Sequence, residues 1–176
     1  QVGRRILKAT VARFWSPAHG AFVDNLPWAR EDGGLRYSDI TLGMSVMFDQ
    51  CPGNAIERSI ELLATKPANL GLGYPTNACW RWWALGKGAR PDAILKEFRE
   101  DWATLDSVLV NNTIKETFGV RPDTPGQWSH AACGPIYVAA MSLAGIRPLT
   151  PGFALYEVRP RLADLPDRAL DVQTPR

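Results

Sequence analysis

The stretch Asn111–His130, reading NNTIKETFGVRPDTPGQWSH, gathers the residues best suited to chemistry. It holds a carboxylate at Glu116, one of the two histidines of the chain at His130, an indole at Trp128, and polar groups at Asn111, Asn112 and Thr113. A carboxylate and an imidazole in one polar stretch can move protons to and from a hydroxyl or a water. An indole face can stack on the C–H face of a sugar or on a cation. The stretch runs for about 20 residues without helical or strand periodicity, and a loop that long inside a compact chain is usually functional or disordered. The competing reading is plain. Most glutamates are solvated surface residues, and a histidine that opens a helix can be a cap or a packing residue.

Other chemistries find less support. No serine lies in a G-x-S-x-G context, and neither G-x-G-x-x-G nor a P-loop occurs. Cys51, Cys79 and Cys133 are far apart and lack metal-ligand spacing, so they read as small buried residues. No metal or organic cofactor is expected. The net charge is +2 with no Lys/Arg cluster, which argues against a nucleic-acid face. No apolar run approaches the roughly 18–20 residues of a membrane span. The apolar fraction of 45% and charged fraction of 22% are those of an ordinary globular chain. Tryptophan stands out, with seven in 176 residues, at positions 15, 28, 80, 82, 83, 102 and 128.

The elements that must position the loop are helices. Residues 4–15 carry Ile6, Leu7, Val11 and Phe14 at helical spacing, with Arg4, Arg5, Lys8 and Arg13 on a wet face. Ser38 or Asp39 can cap an apolar helix running to about Phe48. Residues 54–65 read as an amphipathic helix with Asn54 at its N-cap. Asn77–Leu85 is mostly apolar, begins near Pro75 and closes at Gly86 and Gly88. Trp82 and Trp83 cannot both face inward there. Asp92–Asp106 is amphipathic. Ser129 or His130 opens a last apolar helix to about Ala144, with an expected kink at Pro135.

Amphipathic and apolar helices therefore alternate. The connections alternate too: those entering an apolar helix are long (about 22, 9 and 22 residues) and those leaving one are about 5. An up-and-down helical array then puts all three long loops on one face, at the N-termini of the inner helices, in a two-layered arrangement. His19 and Asp24 lie in the first long loop. His19 reads as structural, Asp24 as a candidate substrate contact and Asp39 as a cap. Beyond Gly145–Gly152, a turn-rich linker, Phe153–Arg159 alternates like a strand and Leu170–Val172 reads as another. Isolated strands need a sheet to pair with. Three inner and three outer helices also form an open arc, and the chain starts at Gln1 without Met. The expectation is a piece of a longer chain, cut at both sides.

Inner and outer helices in this order look like half of an (α/α)6 toroid. NTIKE (112–116), QWSH (127–130), AGIRPLTPGF (144–153) and YEVRP (156–160) resemble the end of the catalytic barrel of α-L-rhamnosidases of glycoside hydrolase family 78. FWSPAHGAFVDN (14–25), YSDITLGMSVMFDQCP (37–52) and WRWWALGKG (80–88) resemble the mid-barrel helices of the same family. The resemblance implies an all-α fold: the second half of the catalytic barrel over 1–148, and a linker with the first strands of a β-domain over 149–176. It implies inverting hydrolysis of rhamnosyl glycosides, with Glu116 as general base and His130 as a sugar ligand. Inversion needs a second carboxyl group about 6.5–9.5 Å away. The resemblance puts that general acid in an earlier segment, with no counterpart here, so the rest of a parent chain is expected as a partner. Trp128, Trp80, Asn112 and Asp24 are the further candidate substrate contacts. Hydrogen bonds from Asn111, Asn112 or Thr113 are expected to keep Glu116 ionised. The sequence departs from the family at Lys115, where Trp is common, and at Ser129, where Asn is common. Two other readings remain open: an inverting (α/α)6 glycosidase for another sugar, and a non-catalytic helical module that binds carbohydrate or a partner.

Overall fold

The computed structural model describes residues 1–24 and 34–165, with the backbone alone at 130 and 131. Helix α1 (Val2–Phe14) is amphipathic and rests on the core through Val11 and Phe14. A short antiparallel hairpin follows, β1 (Trp15–Ser16) with β2 (Ala21–Phe22). His19 is structural within it, its Nδ1 2.7 Å from Ser16 Oγ.

Helix α2 (Asp39–Met47) starts at Ser38, whose hydroxyl accepts from the Thr41 N–H at 3.4 Å. Helix α3 (Glu57–Thr65) buries Ser59, Ile60, Leu62 and Leu63 along one stripe and stops at Lys66, which turns left-handed at φ 46°. Helix α4 (Ala78–Lys87) grows out of a tight turn over Pro75–Asn77. Helix α5 (Pro91–Glu97) continues as a wider π-type turn, Phe98–Trp102. Helix α6 is Asp106–Asn111, and α7 (Gly134–Val138) also widens, into the π-type turn Ala139–Leu143.

Helices α2, α4 and α7 run parallel, side by side. A Cβ on Gly43 of α2 would stand 2.7 Å from the Trp80 carbonyl oxygen of α4, so only glycine permits that approach. Further along the same pair, Lys87 Nζ donates to the Val46 carbonyl at 2.8 Å. Between α4 and α7 the near-contacts are Cys79 with Gly134 at the start and Gly86 with Ser142 at the end. Levels match at both ends of each pair, which fixes the parallel sense. Helix α3 packs behind α2 and α4, and α5 packs behind α3 and α4. The protein is therefore all-α, a partial (α/α)6 toroid of inner and outer helices with short strands near its end.

Leu42, Val46, Leu63, Trp82, Leu85, Ile94 and Val138 fill the space between the layers at or below 1% exposure. Trp82 is the fully buried member of its pair; it meets Phe98 and Trp102 edge-on at 4.8 and 4.7 Å. Burying a side chain of this kind contributes roughly 1.5–3 kcal/mol.

Several boundaries differ from the sequence reading. Asn54 is not a cap: it lies at φ 59° at the end of the tight turn Pro52–Asn54, and Ile56 occupies the N-cap position. Gly86 does not close α4 but sits inside it, because Ser142 leaves no room for a side chain. Residues 92–106 are not one continuous α-helix, and a separate helix, α6, fills the start of what the periodicity suggested was loop. Pro135 produces no kink: it stands in the first turn of α7, where its missing N–H costs nothing. The break falls earlier, at Ala132 (ψ 21°) in the tight turn His130–Cys133.

The three long connections share one face. β3 (Tyr37–Ser38) pairs in parallel with β4 (Leu70–Gly71), joining the first to the second. The turn Pro75–Asn77 packs on the turn His130–Cys133, joining the second to the third. This is the N-terminal end of α2, α4 and α7. At the other end of the chain, β5 (Ile146–Pro148) and β6 (Tyr156–Val158) pair antiparallel, with Arg147 opposite Glu157. Only Tyr156–Val158 of the expected strand is extended, and its partner comes from the stretch read as linker. Leu170–Val172 lies outside the described residues. Among the described residues no helix is long and apolar enough to cross a membrane.

Candidate functional site

The loop that carries Glu116 is held by its own backbone. Helix α6 ends because Asn112 turns left-handed at φ 55°, a conformation that asparagine tolerates. The chain then hydrogen-bonds to the far side of the loop. Thr113 Oγ1 donates to the Gln127 carbonyl at 2.9 Å, and the Glu116 N–H donates to the Gly126 carbonyl at 2.9 Å. Gly126 sits at φ 84°, which lets the return strand turn there. Asn111 Nδ2 donates to Asp123 Oδ1 at 2.8 Å, and the Asp123 N–H donates to Gln127 Oε1 at 2.7 Å.

Lys115 points inward, at 6% exposure, and its ammonium donates to Asp106 Oδ1 at 2.7 Å and to the Val120 carbonyl at 3.3 Å. Glu116 points outward. Its carboxylate lies over Gly126, with Oε2 3.7 Å from where a Cβ on that glycine would be. The expected hydrogen bonds to this carboxylate do not form. The Asn111 amide goes to Asp123 and the Thr113 hydroxyl to Gln127, because the loop uses these groups to close on itself.

The remaining candidates are spread along the same scaffold. Trp128 is 63% exposed, two residues past the Gly126 turn. Asn112 is exposed and serves as the stop of α6. His130 opens the tight turn that leads into α7, and its side chain lies outside the described residues. Asp24 lines a separate cavity of about 450 Å3 with Leu35, Arg36, Tyr37, Asn69 and Leu70, at the N-terminal end of α2. Trp80 lines yet another cavity, with Phe48 and Trp83, whose walls include neither Glu116 nor Trp128. The structure thus places Glu116 and Trp128 on one loop and Asp24 on the first long connection, lining a cavity that includes neither, and sets Trp80 apart.

Beneath the loop face lies an ion cluster that the sequence reading missed. Arg81 of α4, 1% exposed, reaches Asp39 of α2 and Glu97 of α5, themselves 1% and 5% exposed. Its Nε donates to Glu97 Oε2 at 3.2 Å, and Trp102 Nε1 donates to Glu97 Oε1 at 3.1 Å. The Gly73 N–H donates to Asp39 Oδ1 at 2.9 Å, tying the second long loop to the cluster. Asp39 is therefore more than a cap; Ser38 does the capping. Burial opposes the charge on both partners, yet the hydrogen bonds and charges of the pair outweigh it. Arg81 is held above its ordinary value, and Glu97 below the usual carboxylate range. The available signal was an arginine in the middle of a mostly apolar helix, since a buried arginine needs a buried anion. Among the described residues no group of His, Cys, Asp and Glu side chains could hold a metal ion.

The fold is a partial helical toroid, and the loop that carries the exposed Glu116 leads into the N-terminal turn of α7. Among solved structures, the chain is similar to the glycoside hydrolase family 78 rhamnosidase of Bacillus sp. GL1, with a TM-score of 0.69 and 20% identity over 90% of the chain. That likeness is one of fold, and the chain spans 17% of that rhamnosidase. No family model matches the sequence, and no curated protein matches it.

Proposed function

We propose that this chain forms part of an inverting glycoside hydrolase acting on terminal α-L-rhamnosides, with Glu116 as general base. The observation that carries the reading is the pairing at positions 115 and 116. Lys115 is locked inward by Asp106, and its neighbour's carboxylate is presented outward, on a loop braced by its own hydrogen bonds. A base must hold a water against the anomeric carbon, and a braced loop supplies fixed position. His130, Trp128, Asn112 and Asp24 would contribute to the sugar pocket; Trp80, which lines a cavity apart from Glu116 and Trp128, would not. Residues 1–148 would belong to the catalytic barrel and 149–176 to a following β-domain. The general acid would come from chain outside this sequence, so this chain alone would turn over little substrate.

The test is Glu116→Gln in a protein that carries the complete barrel, with an aryl α-L-rhamnoside as substrate. Turnover should fall by about 10³-fold or more while the thermal midpoint stays put. Near-normal turnover would sink the assignment. Lys115 and Ser129 favour keeping a second sugar in view, because both replace residues common at those places in the family. A panel of chromogenic glucosides, arabinosides and uronides separates the two readings.

A further inference from the structure

Toward the C-terminal ends of the inner helices, away from the loop face, lies a cavity of about 350 Å3. Its walls come from the end of α2 (Met47, Phe48), from α4 (Trp80, Trp83) and from the π-type turn that ends α7 (Met141), with Arg147 of β5 at the rim. Trp80 meets Trp83 edge-on at 5.3 Å, and Phe48 tilts against Trp80 at 6.0 Å. The size and the aromatic lining suit a small planar molecule.

The charges at the rim say which kind. Lys87 is already engaged, with the Val46 carbonyl at 2.8 Å and Asp49 at 2.6 Å. Arg147 is not. Its Nε donates to the Met141 carbonyl at 3.2 Å, and among the described residues no carboxylate lies within ion-pair distance of it. Glu157, directly opposite it across the β5–β6 pair, is held by Arg159 at 3.0 Å. A second cavity of about 30 Å3 touches Arg147 from the other side and is lined also by Glu157, Arg159 and Arg161. The wall is apolar, and Arg147 brings to its rim a guanidinium with no ion-pair partner among the described residues.

We propose that this cavity binds a small aromatic carboxylate, its ring against Phe48, Trp80 and Trp83 and its carboxylate on the Nη atoms of Arg147. The planar guanidinium matches a carboxylate in two parallel hydrogen bonds. A neutral aromatic fills the same walls and leaves the cation unpaired. The site is independent of the hydrolase reading and of Glu116.

The test is calorimetric titration of the whole chain with 2-naphthoate and with its neutral analogue 2-naphthalenemethanol. Naphthoate should bind one-to-one and about tenfold tighter than the alcohol. Arg147→Gln should erase that margin while leaving the alcohol's affinity as it was. Phe48→Ala changes a side chain that is 54% exposed, so the fold should survive and both probes should weaken. Should Arg147→Gln fail to fold, salt replaces it: naphthoate binding should loosen with ionic strength and alcohol binding should not. Glu116→Gln should change neither. Equal affinity for the two probes, no saturable naphthoate binding, or an Arg147→Gln chain that binds naphthoate like the parent would each overturn the proposal.

Discussion

Arg81 and Glu116 are both charged residues in tightly held segments, yet Arg81 is 1% exposed and Glu116 carries its carboxylate into solvent. Around Arg81 two carboxylates, an indole N–H and a loop amide converge on one guanidinium network. In the 112–128 loop the bracing is done by backbone, by small polar side chains and by Lys115, and the carboxylate takes no part in it. The difference separates two jobs. Charge inside the scaffold locks three helices and one loop together. The Glu116 carboxylate is exposed and takes no part in holding its loop.

The comparison can be broken at either end, and the largest effect belongs to the loop. In the complete barrel, Glu116→Gln should lower turnover on aryl rhamnoside by about 10³-fold or more, with the urea midpoint unchanged. If stability falls instead, Glu116 belongs with the scaffold and the contrast fails. On the scaffold side, Arg81→Met strands two buried carboxylates and should cost about 3–5 kcal/mol in urea unfolding. A cost near zero would mean that the cluster merely occupies the core.

Packing gives a smaller test. A Cβ at Gly86 would come within 2.4 Å of Ser142 Oγ. Gly86→Ala should therefore cost about 1–3 kcal/mol, and Ser142→Gly in the same chain should recover part of it. Full stability of Gly86→Ala alone would show that α4 and α7 do not approach as described.

The smallest effect is the pH dependence. Glu97 is held below its ordinary value of 4.5 in the folded chain, so below about that pH the unfolded chain binds the extra proton first. The stability this residue contributes is present above that value and drains away as pH falls through the folded one. Glu97→Gln should flatten that part of the acid-unfolding curve. The exposed Asp106 carboxyl, lowered by its hydrogen bond to Lys115, acts in the same direction and should persist in that variant.

Much of the scaffold was legible from local pattern. The apolar and amphipathic stripes identified the helices, and Ser38, Pro75 and Gly88 marked ends that the structure keeps within a residue or two. The alternation of loop lengths placed three loops on one face, where β3–β4 and the two tight turns hold them. These features depend on neighbours in sequence, or on the constraint that short links leave little freedom. Helix α6 was hidden because Asp106–Asn111 is too short to show a period. Of the candidate site, the chain indicated the loop and its carboxylate but not their surroundings.

Those surroundings were decided by tertiary structure. Nothing local says that Arg81 meets Asp39 and Glu97, which lie 42 and 16 residues away. Nothing local says that Ile146–Pro148 pairs with Tyr156–Val158, or that Arg147 stands beside an aromatic cavity with no ion pair among the described residues. Nothing local says that Lys115 is buried against Asp106 while its neighbour Glu116 stays exposed. Sequence alone determined most of the helical segments, α6 excepted, and which polar loop stood out, because those follow from the chain's own periodicity. Which charges are buried, which are paired and which face outward follows from contacts between distant residues, and only the folded chain brings those together.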